Sequence, residues 1–169
     1  MNNQIEIIDD FLPHNEFCQL FDVIMNQFEW GWVDGIATLD DGHFQLVHGM
    51  YINNVPTSKF FQILSPIYDR EQIVSTFRIK ANLTPRTAVP DKTDFHIDLG
   101  DFLGQKTAIF YLNTNNGYTE FEDGTIVESV ANRICVFDGS ERHRGVSCTD
   151  EKMRVVINLN YISYPEISV

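Results

Sequence analysis

The amino-acid sequence predicts a mainly β (α+β) fold: a β-sandwich or jelly roll with N-terminal helices packed on the outside of one sheet. Three observations carry this expectation. Helical spacing of apolar residues is confined to the first part of the chain. Alternating strands separated by turn signals fill the rest from Phe77 onward, and the last strand presents one apolar face and one Arg/Asn face.

Taken in order, Phe17, Leu20, Phe21, Ile24 and Phe28 form one stripe of a helix over 15–28, started by His14 or Asn15. A strand follows at 44–52, where Phe44, Leu46, His48, Met50 and Ile52 alternate with other residues. Thr57 and Ser58 precede Phe60, Phe61, Leu64 and Ile67, which predicts a second helix broken near Pro66. Strands are expected at 77–83, 107–113, 133–137 and 154–162, with a weaker one at 125–130. Asn115-Asn116-Gly117 and Asp123-Gly124 supply turns, as do Gly139 and Gly145. In the last strand Val155, Ile157, Leu159 and Tyr161 share one side, and Arg154, Val156, Asn158 and Asn160 share the other. If the helices cover the apolar side, the polar side points inward, where it needs a ligand or a network. The Arg78/Lys80/Asn82 side of 77–83 carries the same implication.

Composition narrows the function. A chain of 169 residues, 43% hydrophobic and 12% aromatic, is expected to form one domain with a sizeable core. A net charge of −12 repels phosphate backbones, so nucleic acid is a disfavoured partner. No apolar run is long enough to span a membrane, and the acidic start MNNQIEIIDDF does not resemble a signal peptide. Cys18, Cys135 and Cys148 are too widely spaced for a disulfide framework or zinc site, and the natural expectation is a reducing cytoplasm. Cys135 reads as a small core residue, and Trp30 and Trp32 as packing at the end of the first helix.

The chemistry concentrates in TDFHIDLG. His96 and Asp98, two residues apart on an extended segment, project to one side and can reach one ion. An H-x-D pair arises by chance roughly 0.4 times at this His and Asp content, so it needs support from elsewhere. Two histidines, one carboxylate and open positions suit non-haem Fe(II). Of the other histidines, His14 lies at a helix start where i and i+2 splay apart. His43 follows the turn Asp40-Asp41-Gly42, and His48 reads as a hydrogen-bonded core residue. His143, in ERHRGVS just upstream of the final strand, is the remaining candidate.

His96-x-Asp98, His143 47 positions after His96, and Arg154 eleven positions further resemble the Fe(II)/2-oxoglutarate-dependent dioxygenases, in particular their prolyl-4-hydroxylase-like branch. Ordered segments add to the resemblance. KTAIFYLN is similar to the Tyr-Leu-Asn strand of the prolyl hydroxylases, NNGYTEF to their Gly-Gly-x-Thr-x-Phe segment, and NRICVFDGS with RHRGV to the strand leading to the distal histidine. The resemblance implies a double-stranded β-helix in which 1–76 gives helical support and the first strands, and 77–163 forms the metal- and co-substrate-binding core. It implies Fe(II) on His96, Asp98 and His143, with 2-oxoglutarate and O2 as co-substrates and ascorbate as a reductant. Arg154 would pair with the distal carboxylate of 2-oxoglutarate, a role that suits its planar fork. Tyr111 would donate its hydroxyl to the same carboxylate, and Asn82 would meet the co-substrate near the metal. The segment 83–95 is longer than in compact prolyl hydroxylases, which makes Arg86 a candidate for substrate contact, with Arg78 and Arg144 as further ones.

The implied activity is hydroxylation of a C–H bond in a prolyl residue of a peptide or protein, or in a small molecule, with release of succinate and CO2. Compact single-domain members from bacteria and bacteriophages are the nearest in style, so the expected location is a cytoplasm, a host's if the source is a phage. Two other classes remain open: a cupin-like metal enzyme that makes no use of 2-oxoglutarate, and a non-catalytic jelly-roll binding module.

Overall fold

The structure, a computed structural model, describes residues 5–36, 41–100 and 104–164. Strand β1 (Glu6–Ile8) leads through Pro13 into helix α1 (His14–Gln27), whose first intrahelical hydrogen bond runs from Phe17 N–H to the Pro13 carbonyl at 3.0 Å. The chain continues through β2 (Gly31–Asp34), β3 (Phe44–Ile52), β4 (Val55–Pro56), a 3₁₀ turn (Phe61–Leu64) and helix α2 (Ser65–Glu71). The remainder is β5 (Ile73–Pro85), β6 (Lys106–Tyr111), β7 (Tyr118–Phe121), β8 (Ile126–Glu128), β9 (Arg133–Asp138), β10 (His143–Val146) and β11 (Met153–Ser163).

These strands make two antiparallel sheets. The larger runs β1-β9-β6-β11-β5-β3-β2, with β4 on the end of β3, and the smaller runs β10-β7-β8. The predicted two-sidedness of β11 organises the core. Val155, Ile157, Leu159 and Tyr161 join Ile79, Ala81, Leu83, Ala108 and Phe110 in a cluster closed by Leu20 and Ile24 of α1 and Ile67 of α2. Each of the larger aliphatic side chains among them contributes roughly 1.5–3 kcal/mol when buried, enough to fix both helices on the outer face of the large sheet. Phe110 meets Phe11 and Phe17 in T-shaped contacts, with ring centroids 6.0 and 6.2 Å apart. A second, smaller cluster lies between the sheets: Ile109, Tyr111, Phe121, Val127, Cys135, Phe137 and Val156. The site sits beside this second cluster.

Several elements depart from expectation. Pro66 does not break a helix: it stands in the first turn of α2, where its missing N–H has no intrahelical partner to lose. Strands β2, β7 and β10 arise where turns or loops were expected, and β5 extends beyond 77–83 at both ends. Trp32 is not packed at the end of α1; it is 62% exposed on edge strand β2. Trp30 does pack, tilted against Phe28. His48 is hydrogen-bonded as expected, donating to the Glu29 carbonyl and meeting Ser58 Oγ, both at 2.8 Å. No helix among the described residues is long and apolar enough to cross a membrane.

Candidate functional site

An antiparallel bridge brings the two candidate histidines together. His96 and His143 exchange both backbone hydrogen bonds at 3.0 Å, so they stand opposite each other on one face. Lys92 stands opposite Val146 in a second antiparallel bridge, where Ser147 N–H donates to the Asp91 carbonyl at 3.0 Å, so the metal-motif segment lies along β10. Asp98, two residues on from His96, completes a group whose ligand atoms all lie within 4.8 Å of one another. His143 Nε2 is 3.7 Å from Asp98 Oδ2.

The tautomers are set locally. His96 Nδ1 lies 3.1 Å from the Asp94 carbonyl, and His143 Nδ1 lies 3.0 Å from the Glu141 carbonyl. A carbonyl oxygen only accepts, so both Nδ1 atoms carry hydrogen and both Nε2 lone pairs are free to bind a metal. Burial lowers the His143 pKa against the pull of Asp98, which favours the neutral, ligating imidazole.

Asp98 is oriented by three side chains from the large sheet. Its Oδ1 accepts from Arg78 at 2.9 Å and its Oδ2 from Asn158 at 2.9 Å and Asn160 at 3.2 Å. Its side chain is 3% exposed, and such burial alone would raise the pKa; His143, Arg78, the Asn158 hydrogen bond and Lys80 outweigh it and hold the carboxylate at about 2. Two histidines and one ionised carboxylate are a donor set that fits Fe(II).

The cavity beside this triad, open to solvent, is lined by residues of β5, β10 and β11 and reaches Arg154. Arg154 is 6% exposed. Its Nε donates to Ser129 Oγ and one terminal nitrogen to Thr119 Oγ1, each at 3.0 Å. No carboxylate pairs with it among the described residues, and burial pushes its pKa down. A buried guanidinium held only by hydroxyls is an incomplete ion pair, and a ligand carboxylate would complete it.

The other expected residues divide. Asn82 lines the cavity, with a buried Oδ1 that lacks a partner. Tyr111 is fully buried beneath it and donates to Thr119 Oγ1 at 2.8 Å, so the hydroxyl at the cavity wall is that of Thr119. Thr119 thus accepts from both Tyr111 and Arg154 and keeps its own proton for a ligand. Arg78 is spent on Asp98 and on Asn160, at 2.9 and 3.2 Å. Arg144 is spent on Glu120 and lies 4.1 Å over the Phe95 ring. Arg142 binds Glu122 and the Phe95 carbonyl. Arg86 is exposed and does not line the cavity. His43, expected in an open turn, meets Asp91 at 3.0 Å. Thr119, Ser129 and Gln45 were missed: Thr119 and Ser129 stand in short stretches placed by pairing with distant strands, and Gln45 lies on the unassigned face of the strand expected at 44–52.

No family model and no curated protein sequence matches the chain. Solved structures do match it over nearly its whole length. A prolyl-4-hydroxylase from Pseudomonas putida aligns with a TM-score of 0.68 at 15% identity, covering 95% of this chain and 94% of that one. A prolyl hydroxylase from Trichoplax adhaerens, in complex with a hypoxia-inducible-factor oxygen degradation domain peptide, gives 0.63 at 14%, covering 96% and 84%. The non-haem α-ketoglutarate-dependent epimerase SnoN of nogalamycin biosynthesis gives 0.68 at 12%, covering 95% and 79%. At these identities the likeness is one of fold, and the chain has the jelly-roll fold shared by these oxygenases.

Proposed function

We propose that this chain is an Fe(II)- and 2-oxoglutarate-dependent dioxygenase that oxidises a C–H bond of a peptide, protein or small molecule, releasing succinate and CO2. One observation carries the reading: a two-histidine, one-carboxylate group and a buried arginine without a carboxylate partner line the same cavity. Arg154 and Asn158 are four residues apart on one face of β11, about 13 Å at 3.3 Å per residue. Once side chains reach in from both ends, a five-carbon diacid fits that span.

His96 Nε2, His143 Nε2 and Asp98 would hold the iron, kept in place by the Asp94 and Glu141 carbonyls and by Arg78, Asn158 and Asn160. Bound there, Fe(II) supplies activation of O2 coupled to oxidative decarboxylation of the 2-oxo acid, chemistry that side chains lack. Arg154 and the Thr119 hydroxyl clamp the distal carboxylate, with Tyr111 orienting Thr119 from below. Ile109 and Val156 wall the stretch between, where they exclude water from the methylenes of the co-substrate. Asn82 offers its amide near the metal end.

Prolyl peptides are the first substrates to test, because two neighbours are prolyl hydroxylases and one was solved with a peptide. The epimerase neighbour makes the mass readout informative: hydroxylation adds one oxygen atom, whereas epimerisation leaves the mass unchanged. The experiment is anaerobic binding of Fe(II) and 2-oxoglutarate, then succinate formation with ascorbate present against prolyl peptides and lysate. His96→Ala and Asp98→Ala are expected to abolish iron-dependent succinate formation while the fold persists. Retained turnover in either variant would sink the assignment.

A further inference from the structure

We infer that Lys80 anchors a carboxylate of the primary substrate at the metal end of the cavity. The inference rests on the dioxygenase reading and adds to it the chemical class of the substrate.

Lys80 lies on the inward face of β5 and lines the cavity with Asn82, His96 and Asp98. It makes no hydrogen bond or ion pair among the described residues, unlike the other cations around the site. Arg78 is held by Asp98, Arg144 and Lys92 by Glu120, and Arg142 by Glu122. In a chain of net charge −12, an inward-facing ammonium without an acidic partner stands out. A partly desolvated charge is costly unless it is paired. Burial lowers the Lys80 pKa and Arg78 lowers it further, against the pull of Asp98; a bound anion would reverse that balance.

Register says where the anion belongs. Across the ladder to β11, Lys80 faces Asn158, the residue that donates to Asp98, while Arg154 faces Thr84. The two cations therefore stand at opposite ends of the cavity. Asn82 lies between them on the same face, so the path from Arg154 to the metal passes Asn82 before it reaches Lys80. On its other side Lys80 faces Gly49 of β3, which brings no side chain over it. The charges also assign it. Asp98 is neutralised by Arg78, and the distal carboxylate of the co-substrate is matched by Arg154, which leaves the ammonium of Lys80 for an acid on the molecule to be oxidised.

The test uses Mn(II)- and 2-oxoglutarate-loaded protein. It is titrated with free L-amino acids, their C-terminal amides, and blocked Pro-Glu and Pro-Gln dipeptides, with binding read from paramagnetic broadening of ligand NMR signals. Acids are expected to bind about tenfold or more tightly than their amides, the scale of one hydrogen bond to a charged group. Free acids and Pro-Glu distinguish an α-carboxylate from a side-chain carboxylate. Lys80→Met should erase the preference for acids and Lys80→Arg should keep it, with 2-oxoglutarate affinity unchanged in both and Mn(II) affinity unchanged in Lys80→Arg. A loss of 2-oxoglutarate affinity in Lys80→Met, as in Arg154→Met, would move Lys80 to the co-substrate and overturn the inference. Weakened Mn(II) binding in Lys80→Met with the acid preference intact would leave Lys80 only a support for Asp98 and overturn it too, as would equal binding of acids and amides by the wild type, or no binding by any member. Failure of the wild type to bind 2-oxoglutarate would instead overturn the dioxygenase reading on which it rests.

Discussion

Gly117 has no room for a side chain: a Cβ there would meet Asn115 Oδ1 and the Val146 carbonyl at 2.8 Å and Arg154 Cδ at 2.9 Å. Asn115 is held by its own turn, accepting from Gly117 N–H at 2.9 Å, and Val146 is fixed in β10. Arg154 is the neighbour that can give. Gly117→Ala is therefore expected to displace the guanidinium from Ser129 and Thr119 and to weaken 2-oxoglutarate binding. The stability loss would be about 1–3 kcal/mol, the usual cost of overpacking a well-filled site. Mn(II) affinity should be unchanged, since the triad lies at the other end of the cavity. Calorimetric titration of each ligand checks this, and undiminished 2-oxoglutarate binding would show that Arg154 need not be held so tightly. Sequence reading took this glycine for a turn residue alone; its contact with Arg154 joins residues far apart in the chain and leaves no local signal.

Strands were legible in proportion to how much of their burial was written as alternation. β11 could be read face by face because four apolar residues on one side meet the helices and the Arg/Asn residues on the other meet the cavity. β10 could not, since HRGV has no alternating pattern and becomes a strand only by pairing with β7 and lying along the metal-motif segment. The helices were read from their apolar stripes, although the chemistry that joins α2 to β11 was not. Tyr161, fully buried on the helix side of β11, donates to Glu71 Oε2 at the end of α2 at 2.5 Å. Burial raises the Glu71 pKa, against the hydrogen bond from Tyr161 and the charge of Lys106. The folded protein therefore holds the Glu71 proton more tightly than the unfolded chain does. The stability this lends is fully present below the ordinary carboxyl range and is lost as pH rises through the raised value. Glu71→Gln keeps an acceptor for Tyr161 and removes the titration. Thermal denaturation from mildly acidic to neutral pH should show this decline in the wild type and a shallower one in the variant. Parallel profiles would mean that Glu71 ionises without cost.

Across the whole molecule the charge is arranged inside out. The chain carries a net −12, yet the cavity between the sheets is lined by Lys80 and Arg154, with Arg78 bound to Asp98 at its wall, and of these three cations only Arg78 has an acidic partner among the described residues. The large cluster under the helices needs no ligand, because its side chains bury one another. The polar side of the same sheet is different: a closely set His/Asp/His group, a buried arginine and the Asn82 and Asn158 oxygens, which have no hydrogen-bond partner among the described residues, carry a desolvation cost that apolar neighbours do not remove. Ligands that complete these groups bind the folded chain alone, so they must raise its stability by mass action. At one hundred times its Kd a ligand adds about 2.7 kcal/mol. For a chain of this size each kcal/mol moves Tm by about 2–4 °C, which sets an expected rise of roughly 5–11 °C for each of Mn(II) and 2-oxoglutarate at that excess. His96→Ala should lose the part due to the metal and Arg154→Met the part due to the diacid. The same rise in both variants would place the binding elsewhere on the protein, and no rise in the wild type would mean that the cavity takes neither ligand.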